Sequence, residues 1–363
     1  MRKICFILAS LNVGGVEKNT LRLIKGLLDR GYQVDLLVVR SEGVYVEQLD
    51  KRTNVIYLNK KKISHCIFKI SDYLRKNRPD ALISAKDYIN VIVILSSILS
   101  RSNVKIITST RTQVSIELST QKKLRRLLNK SLMRFTYPFA NHIVAVSNGV
   151  AEDLSILTGI DLKKIHVIYN PIIDGEISEK KEGAIDCFDR KPNSIVLVSA
   201  GRLAIQKDYP NLLRAMKLLN ENKDIKLLIL GEGNDRKKIE HMINQLSLED
   251  IVYLKGNVSN PYPFMKEADL FVLSSKWEGF GNVIVESLAV GTPVVSTDCP
   301  SGPAEILNNG EFGILVPVGV PEMLARGIED ALEKEWNKDI LINRANEFSV
   351  ERAINGYLNL IYS

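Results

Sequence analysis

Short apolar runs alternate along the whole chain with longer stretches in which apolar positions recur every three or four residues. In the first half the runs predict strands over residues 3–10, 33–39, 54–58, 81–85, 105–110, 142–147 and 166–169. Helical spacing falls at 16–28, 63–76, 89–99, 116–135 and 148–157. In the second half strands are expected at 194–200, 226–230, 251–255, 270–274 and 294–297, with a short addition at 314–316. Helices are expected at 209–220, 235–246, 261–266, 282–290, 303–307 and 321–335, and a last one at 350–362. Continuous apolar strands between amphipathic helices mean parallel sheets covered on both faces, so the fold class is α/β.

The length, 363 residues, exceeds one ordinary core and suggests two domains. The segments KICFILASLNVGG and SIVLVSAGRLAIQKD echo each other. Each reads as the opening strand, turn and helix of a doubly wound domain. Residues 170–190 contain Pro171, Gly175, several charges and little periodicity, which marks a linker. The expected division is 1–170 and 171–349, with ligands where carboxyl ends of strands face each other. Average hydrophobic and charged content excludes disorder, collagen-like repeats and a disulfide scaffold. Cys5, Cys66, Cys187 and Cys299 lie far apart without a Cys-x-x-Cys pair, which fits a reduced cytosolic protein and argues against structural zinc. The apolar stretch around 91–99 is far below the roughly 18–20 residues of a membrane span. The N-terminal MRKICFILASLNVGG runs straight into a turn and a helix, so it reads as a buried strand rather than a secretion signal.

Charge is uneven. Residues 1–170 carry 28 basic against 13 acidic side chains, a net +15, while the remainder nets −8. Such asymmetry points the first half at something anionic. The densest segment, residues 121–135 (QKKLRRLLNKSLMRF), sets Leu124, Leu127, Leu128, Leu132 and Phe135 at helical spacing among six basic residues. It is a basic amphipathic helix, either lying on an anionic membrane surface or packed on its own domain. Nucleic acid is not expected, because interleaved aromatics and binding motifs are missing.

The segment with most chemical content is SSKWEGFGNVIVESLAVGTPVVSTDCPSGPAEIL, residues 274–307. Glu278 precedes Gly279-Phe280-Gly281, a helix opens near Asn282, and Glu286 follows within it. A glycine turn opening a helix offers backbone N–H groups and a positive dipole end to a phosphate. The two carboxylates suit sugar hydroxyls instead. After the first strand of the second half come Arg202 and Lys207, two cations fit to neutralise a diphosphate. Gly231-Glu232-Gly233 is another tight turn at the same edge, and Gly14-Gly15 follow the first strand of the chain. The full Gly-x-Gly-x-x-Gly fingerprint is missing, so no nicotinamide or flavin cofactor is expected. Asp-x-Asp, a Walker lysine, His-Glu-x-x-His and Gly-x-Ser-x-Gly are missing too. A metal-dependent sugar transfer, an ATPase and a serine hydrolase lose support, and no metal is expected.

Together these residues resemble family 4 of the glycosyltransferases, retaining enzymes of the GT-B fold. The likeness rests on Gly14-Gly15-Val16-Glu17, Tyr169-Asn170-Pro171, Gly201-Arg202-Leu203 with Lys207-Asp208, Gly231-Glu232-Gly233, and above all Glu278 and Glu286 around Gly279-Phe280-Gly281-Asn282. The tail from Asp298 to Leu307 looks like a subgroup that builds bacterial surface polysaccharides and glycan-lipids, often from UDP-N-acetylhexosamines. The resemblance implies two Rossmann-like domains facing a cleft, with helix 350–363 crossing back to the first. It implies that Arg202 and Lys207 grip the donor diphosphate, Glu286 the ribose, and Glu278 the donor sugar. Phe280, Gly281, Asn282 and Val283 would line the sugar and phosphate, Asn257 and Val258 would meet the base, and Gly14 and Gly15 would approach from the first domain. No covalent catalyst is implied. The acceptor would be polyprenyl-diphosphate-linked or a polysaccharide, at the inner face of the cytoplasmic membrane. One departure stands out: the loop where many members carry a His reads Ser109-Thr110-Arg111-Thr112-Gln113, which makes Arg111 a candidate for phosphate, sugar or acceptor. His65, His142, His166 and His241 lie outside it and read as structural or exposed. A GT-B epimerase and a non-catalytic partner subunit are the alternatives.

Overall fold

The first seven strands are β1 (Lys3–Leu8), β2 (Gln33–Val38), β3 (Asn54–Tyr57), β4 (Ala81–Ala85), β5 (Lys105–Thr110), β6 (His142–Ala145) and β7 (Ile165–Val167). They build one parallel sheet in the order β3-β2-β1-β4-β5-β6-β7. The computed structural model describes residues 2–12, 14–175, 177, 182, 194–219 and 224–363. Val13, most of the expected linker, Cys187 and Asn220 lie outside them. The chain divides into two units, Met1–Pro171 with Val350–Ser363, and Ile172–Ser349.

β4 is buried at every residue and β1 at all but its first, as strands covered on both faces must be. β3, at the edge, keeps Asn54 and Tyr57 exposed. One face of the core joins Phe6 and Leu36 to Leu23, Ile24 and Leu27 of the helix Gly15–Asp29. Ile354, Tyr357 and Ile361 of the last helix, Val350–Tyr362, complete the same cluster. Gly26 makes this approach possible: a Cβ there would stand 2.4 Å from Ile354 Cδ1.

The expected helix 116–135 is two helices, Val114–Ser119 and Lys123–Thr136. The backbone turns between them, with Gln121 N–H bonded to the Leu118 carbonyl. In the longer helix only Met133 and Thr136 are buried. The leucine face stays out of the unit's core: Leu124 is 82% exposed and Phe135 73%.

In the second unit β8 (Ile195–Ala200), β9 (Ile225–Leu230), β10 (Val252–Gly256), β11 (Leu270–Leu273), β12 (Val294–Thr297) and β13 (Ile314–Val316) form a parallel sheet. Its order is β10-β9-β8-β11-β12-β13. Leu197, Leu227 and Val272 of the sheet pack against Leu212, Met216, Leu324 and Ile328. The linker's beginning is ordered within this unit, since the Ile172 and Ile173 N–H groups both donate to the Phe348 carbonyl. Pattern reading misses the helix Lys338–Asn346, whose signal is a cap: Asn337 Oδ1 accepts from the N–H groups of Asp339 and Ile340. Among the described residues, no helix is long and apolar enough to cross a membrane.

Candidate active site

In a doubly wound sheet the strand order reverses at one point, and the loops leaving the two strands there diverge to open a crevice. In the second unit that point lies between β8 and β11. The loop after β8 carries Arg202 and Lys207, and the loop after β11 carries Glu278. The sheet order therefore juxtaposes residues some 70 positions apart in sequence.

Lys207 ends a single 3-10 turn, Ile205–Lys207, and its Nζ meets Glu278 Oε1 at 2.5 Å. Gly201 leaves room for this lysine: a Cβ there would lie 2.8 Å from Lys207 Cε. Glu278 is buried. Its Oε1 also accepts from Ser275 Oγ at 2.6 Å, and its Oε2 from Gln206 Nε2 at 3.4 Å. Gln206 holds the Trp277 carbonyl as well, at 2.9 Å. Burial pushes the neighbouring Cys299 thiol up to about 12, and the Glu278 carboxylate adds to the shift. Arg202 is exposed and, among the described residues, makes no hydrogen bond or ion pair. One cation of the pair is thus held in place by a carboxylate, while the other is open to an anion.

Gly281, at φ +101, starts the helix Asn282–Ala289, a conformation that favours glycine. Glu286 sits one turn in and is buried, while Asn282 and Val283 are partly exposed at its start. The Phe280 ring turns inward and meets Phe348 edge-to-face, centroids 5.4 Å apart. What Phe280 can offer a ligand is its backbone. The loop is pressed from behind by Gly302, at φ +94, where a Cβ would be 1.9 Å from the Phe280 carbonyl oxygen.

Gly231-Glu232-Gly233 has a structural explanation. A Cβ at Gly231 would stand 2.0 Å from the Gly201 carbonyl oxygen, and one at Gly233 2.2 Å from that of Leu203. The turns after β8 and β9 therefore pack backbone on backbone, joined by Leu203 N–H to the Glu232 carbonyl. Asn257 and Val258 leave β10 at the same end of the sheet, beyond Gly256 at φ +80.

In the first unit the corresponding crevice lies between β1 and β4. Gly14 precedes the helix Gly15–Asp29, and the Glu17 carboxylate folds back over it, 2.3 Å from where a Cβ would be. Arg111 follows β5. Its Nη1 donates to Asn170 Oδ1 at 2.5 Å and its Nη2 to the Tyr357 hydroxyl at 3.2 Å. It thereby ties the end of the first segment of this unit to the last helix. His142 and His166 stand on neighbouring strands with ring centroids 5.6 Å apart. Burial lowers the His142 pKa.

Sequence reasoning misses Ser275 and Gln206 as supports of Glu278. Their only trace is polarity in the loops that follow two buried strands. It also misses Lys86, whose Nζ pairs with Glu17 at 2.6 Å.

Comparison with known proteins agrees with this fold. Residues 13–174 match Glycosyltransferase Family 4, and residues 185–348 match Glycosyl transferases group 1. A Campylobacter jejuni protein is 29% identical over 353 residues, covering 95% of this chain and 94% of its own. It is the N-acetylgalactosamine-N,N'-diacetylbacillosaminyl-diphospho-undecaprenol 4-alpha-N-acetylgalactosaminyltransferase. The amylovoran biosynthesis glycosyltransferase AmsD of Erwinia amylovora is 26% identical over 306 residues, with 83% and 82% covered. Among solved structures, Anabaena HepE in complex with UDP-glucose shares the fold, with a TM-score of 0.78, 21% identity and coverage of 99% and 100%. The chain belongs to the glycosyltransferases, a Family 4 domain followed by a group 1 domain.

Proposed function

We propose that this glycosyltransferase moves a hexose or N-acetylhexosamine, with retention of configuration, from a UDP-linked donor to a polyprenyl-diphosphate-linked saccharide. The pathway is the building of a bacterial cell-surface glycan. The observation that carries the donor side is the crevice between β8 and β11, where the loop carrying Lys207 and exposed Arg202 is joined to the loop carrying Glu278 by the Lys207–Glu278 pair, ahead of the helix that holds buried Glu286. Transfer breaks the bond between the sugar's anomeric carbon and the diphosphate, and the electron pair leaves with the phosphate. Arg202 and Lys207 stabilise that growing charge, a role that fixed cations perform without a metal. The acceptor hydroxyl adds on the same face, and its proton passes to the departing phosphate oxygen. Glu278, held by Ser275 and Gln206, is set to receive donor-sugar hydroxyls, and Glu286 those of the ribose. The acceptor class is taken from the Campylobacter jejuni relative, which is named for a diphospho-undecaprenol substrate.

A thermal-shift screen of nucleotides and nucleotide sugars tests the donor, since a ligand of the folded state raises the melting temperature. UDP and UDP-N-acetylhexosamines should raise it selectively, and Glu286→Ala should abolish the shift. A response to GDP-sugars alone would overturn the donor, and a response to none would overturn the reading. Release of free UDP with a new glycoside, rather than an isomerised nucleotide sugar, separates transfer from epimerisation.

The same reading places the exposed leucine face of Lys123–Thr136 on an anionic bilayer. Leucines that are not packed in the unit's core lie among basic side chains, the composition of an interfacial helix. Replacing Leu124 and Leu128 by Glu should cut sedimentation with phosphatidylglycerol vesicles by at least about tenfold, since each buried leucine contributes about 1.5 kcal/mol or more. Unchanged sedimentation would remove the membrane from the proposal.

A further inference from the structure

The carboxyl ends of β4 and β5 assemble polar side chains that the donor chemistry leaves unused. Lys86 directly follows β4 with its backbone at φ +82, a conformation L-residues rarely hold. Such strain persists where the surroundings over-determine it, often at functional sites. Its ammonium is committed to Glu17, which is buried in the first turn of the helix Gly15–Asp29. The next residue, Asp87, is engaged from β5 instead. Its Oδ1 accepts from Thr110 Oγ1 at 3.1 Å and from the Tyr137 hydroxyl at 3.1 Å. Tyr137 is fully buried, and its hydroxyl oxygen accepts from Asn90 Nδ2 at 3.0 Å. Asn90 is fixed in turn by Ser84 Oγ at 2.7 Å and by donating to the Ser109 carbonyl at 3.1 Å.

A relay of buried hydroxyl and amide groups thus aims one carboxylate oxygen. Among the described residues no side chain donates to the other, Oδ2, and Asp87 is partly open to solvent. An acid that served only the helix dipole at the start of Asp87–Ser100 would need no such relay. A carboxylate locked through one oxygen, with acceptor capacity left on the other, is prepared to take a hydroxyl group in a fixed direction.

We propose that Asp87 receives, in a hydrogen bond, a hydroxyl of the acceptor saccharide beside the attacking one, whose own proton is left for the departing phosphate, with Thr110 and Tyr137 as its positioning residues. The inference rests on the transferase reading and assigns it an acceptor-side group. Burial raises the Asp87 carboxyl to about 7, and Glu117 on the helix Val114–Ser119 adds to the rise. The Tyr137 and Thr110 hydroxyls oppose it by bonding to the ionised form. Of the nearby cations, Lys86 is paired with Glu17, and Arg111 is bonded to Asn170 and Tyr357. The ionised, acceptor-only carboxylate is the competent form, so transfer should fall as the pH drops through about 7.

The test uses the full-length enzyme, the nucleotide sugar chosen by thermal shift, and lipid-linked saccharides extracted from a source strain lacking this protein. Asp87→Asn should lower kcat/KM for the acceptor by about a hundredfold, the order expected when a reacting group loses its orientation. The UDP thermal shift and acceptor-independent donor hydrolysis should stay within threefold of wild type. Thr110→Val, which removes a donor to the ionised form, should move the acidic limb of the pH profile upward. Asp87→Asn transfer within threefold of wild type, or a limb unmoved by Thr110→Val, overturns the proposal. So does an Asp87→Asn protein that loses UDP binding and thermal stability together, since the residue would then serve the fold. A wild-type enzyme that releases no UDP removes the transferase reading, and this inference with it.

Discussion

Lys207→Ala should lower transfer by about a thousandfold, the upper range for removing one preorganised charge at a site of developing negative charge. The same change should destabilise the second unit. Glu278 is buried, and its partners after the change are two neutral donors, Ser275 and Gln206. Removing one member of a fully buried ion pair costs about 3–5 kcal/mol. Those two hydrogen bonds and the partial exposure of Lys207 put the expected loss nearer about 2 kcal/mol. Both tryptophans, Trp277 and Trp336, belong to the second unit, so their fluorescence in urea follows that unit. Adding Glu278→Gln to Lys207→Ala should restore stability, because no orphan charge remains, yet leave the enzyme inactive. A rate within tenfold of wild type in the single variant would show that Lys207 serves only to neutralise Glu278.

Gly302→Ala should cost about 4 kcal/mol or more, in the range that marks a specific structural fault. Two effects add. At φ +94 an alanine is strained wherever it sits. Its Cβ would also be 1.9 Å from the Phe280 carbonyl oxygen and 2.4 Å from its carbon. These are backbone atoms and cannot rotate aside, so the segment Glu278–Gly281 must shift or the unit must open. Gly310 is the matched control: φ is +102, and no atom lies within 4 Å of its built Cβ. Gly310→Ala should therefore cost only the backbone strain, about 1 kcal/mol. Equal urea midpoints for the two variants would mean that the loop yields freely, and the close approach would then carry no energetic weight.

Parallel strands buried on both faces leave a plain trace in sequence, an apolar run closed by a turn. That is why β1, β8 and β11 lie within two residues of their expected bounds. What the trace omits is lateral order. Lys207 and Glu278 are each visible as candidate residues, one for phosphate and one for sugar. Their mutual ion pair follows only from β11 lying beside β8, a non-consecutive pairing. The pair Lys86–Glu17 is hidden for the same reason, since β4 adjoins β1. Gly231 reads as a turn, but its neighbour, the Gly201 carbonyl, belongs to another strand's loop. The misjudged helix 116–135 fails differently. Residues 119–123 are all polar, so the apolar spacing lapses there for more than a full turn, and the backbone turns within that lapse.

The last helix has a consequence for how this protein is made. Ile354, Tyr357 and Ile361 fill the same cluster as Leu23, Ile24 and Leu27, more than 300 residues upstream. Chains emerge from the ribosome amino end first, and domains generally fold as they appear. Here the first unit cannot finish when its first 171 residues have emerged, because part of its interior, residues 350–363, is translated only after the whole second unit. The second unit, continuous from Ile172 to Ser349, can fold completely before it. Until residues 350–362 arrive, the helix Gly15–Asp29 holds an unfilled apolar groove for a partner still inside the ribosome. A premature stop near residue 349 would then damage the amino-terminal half and spare the half that it directly follows.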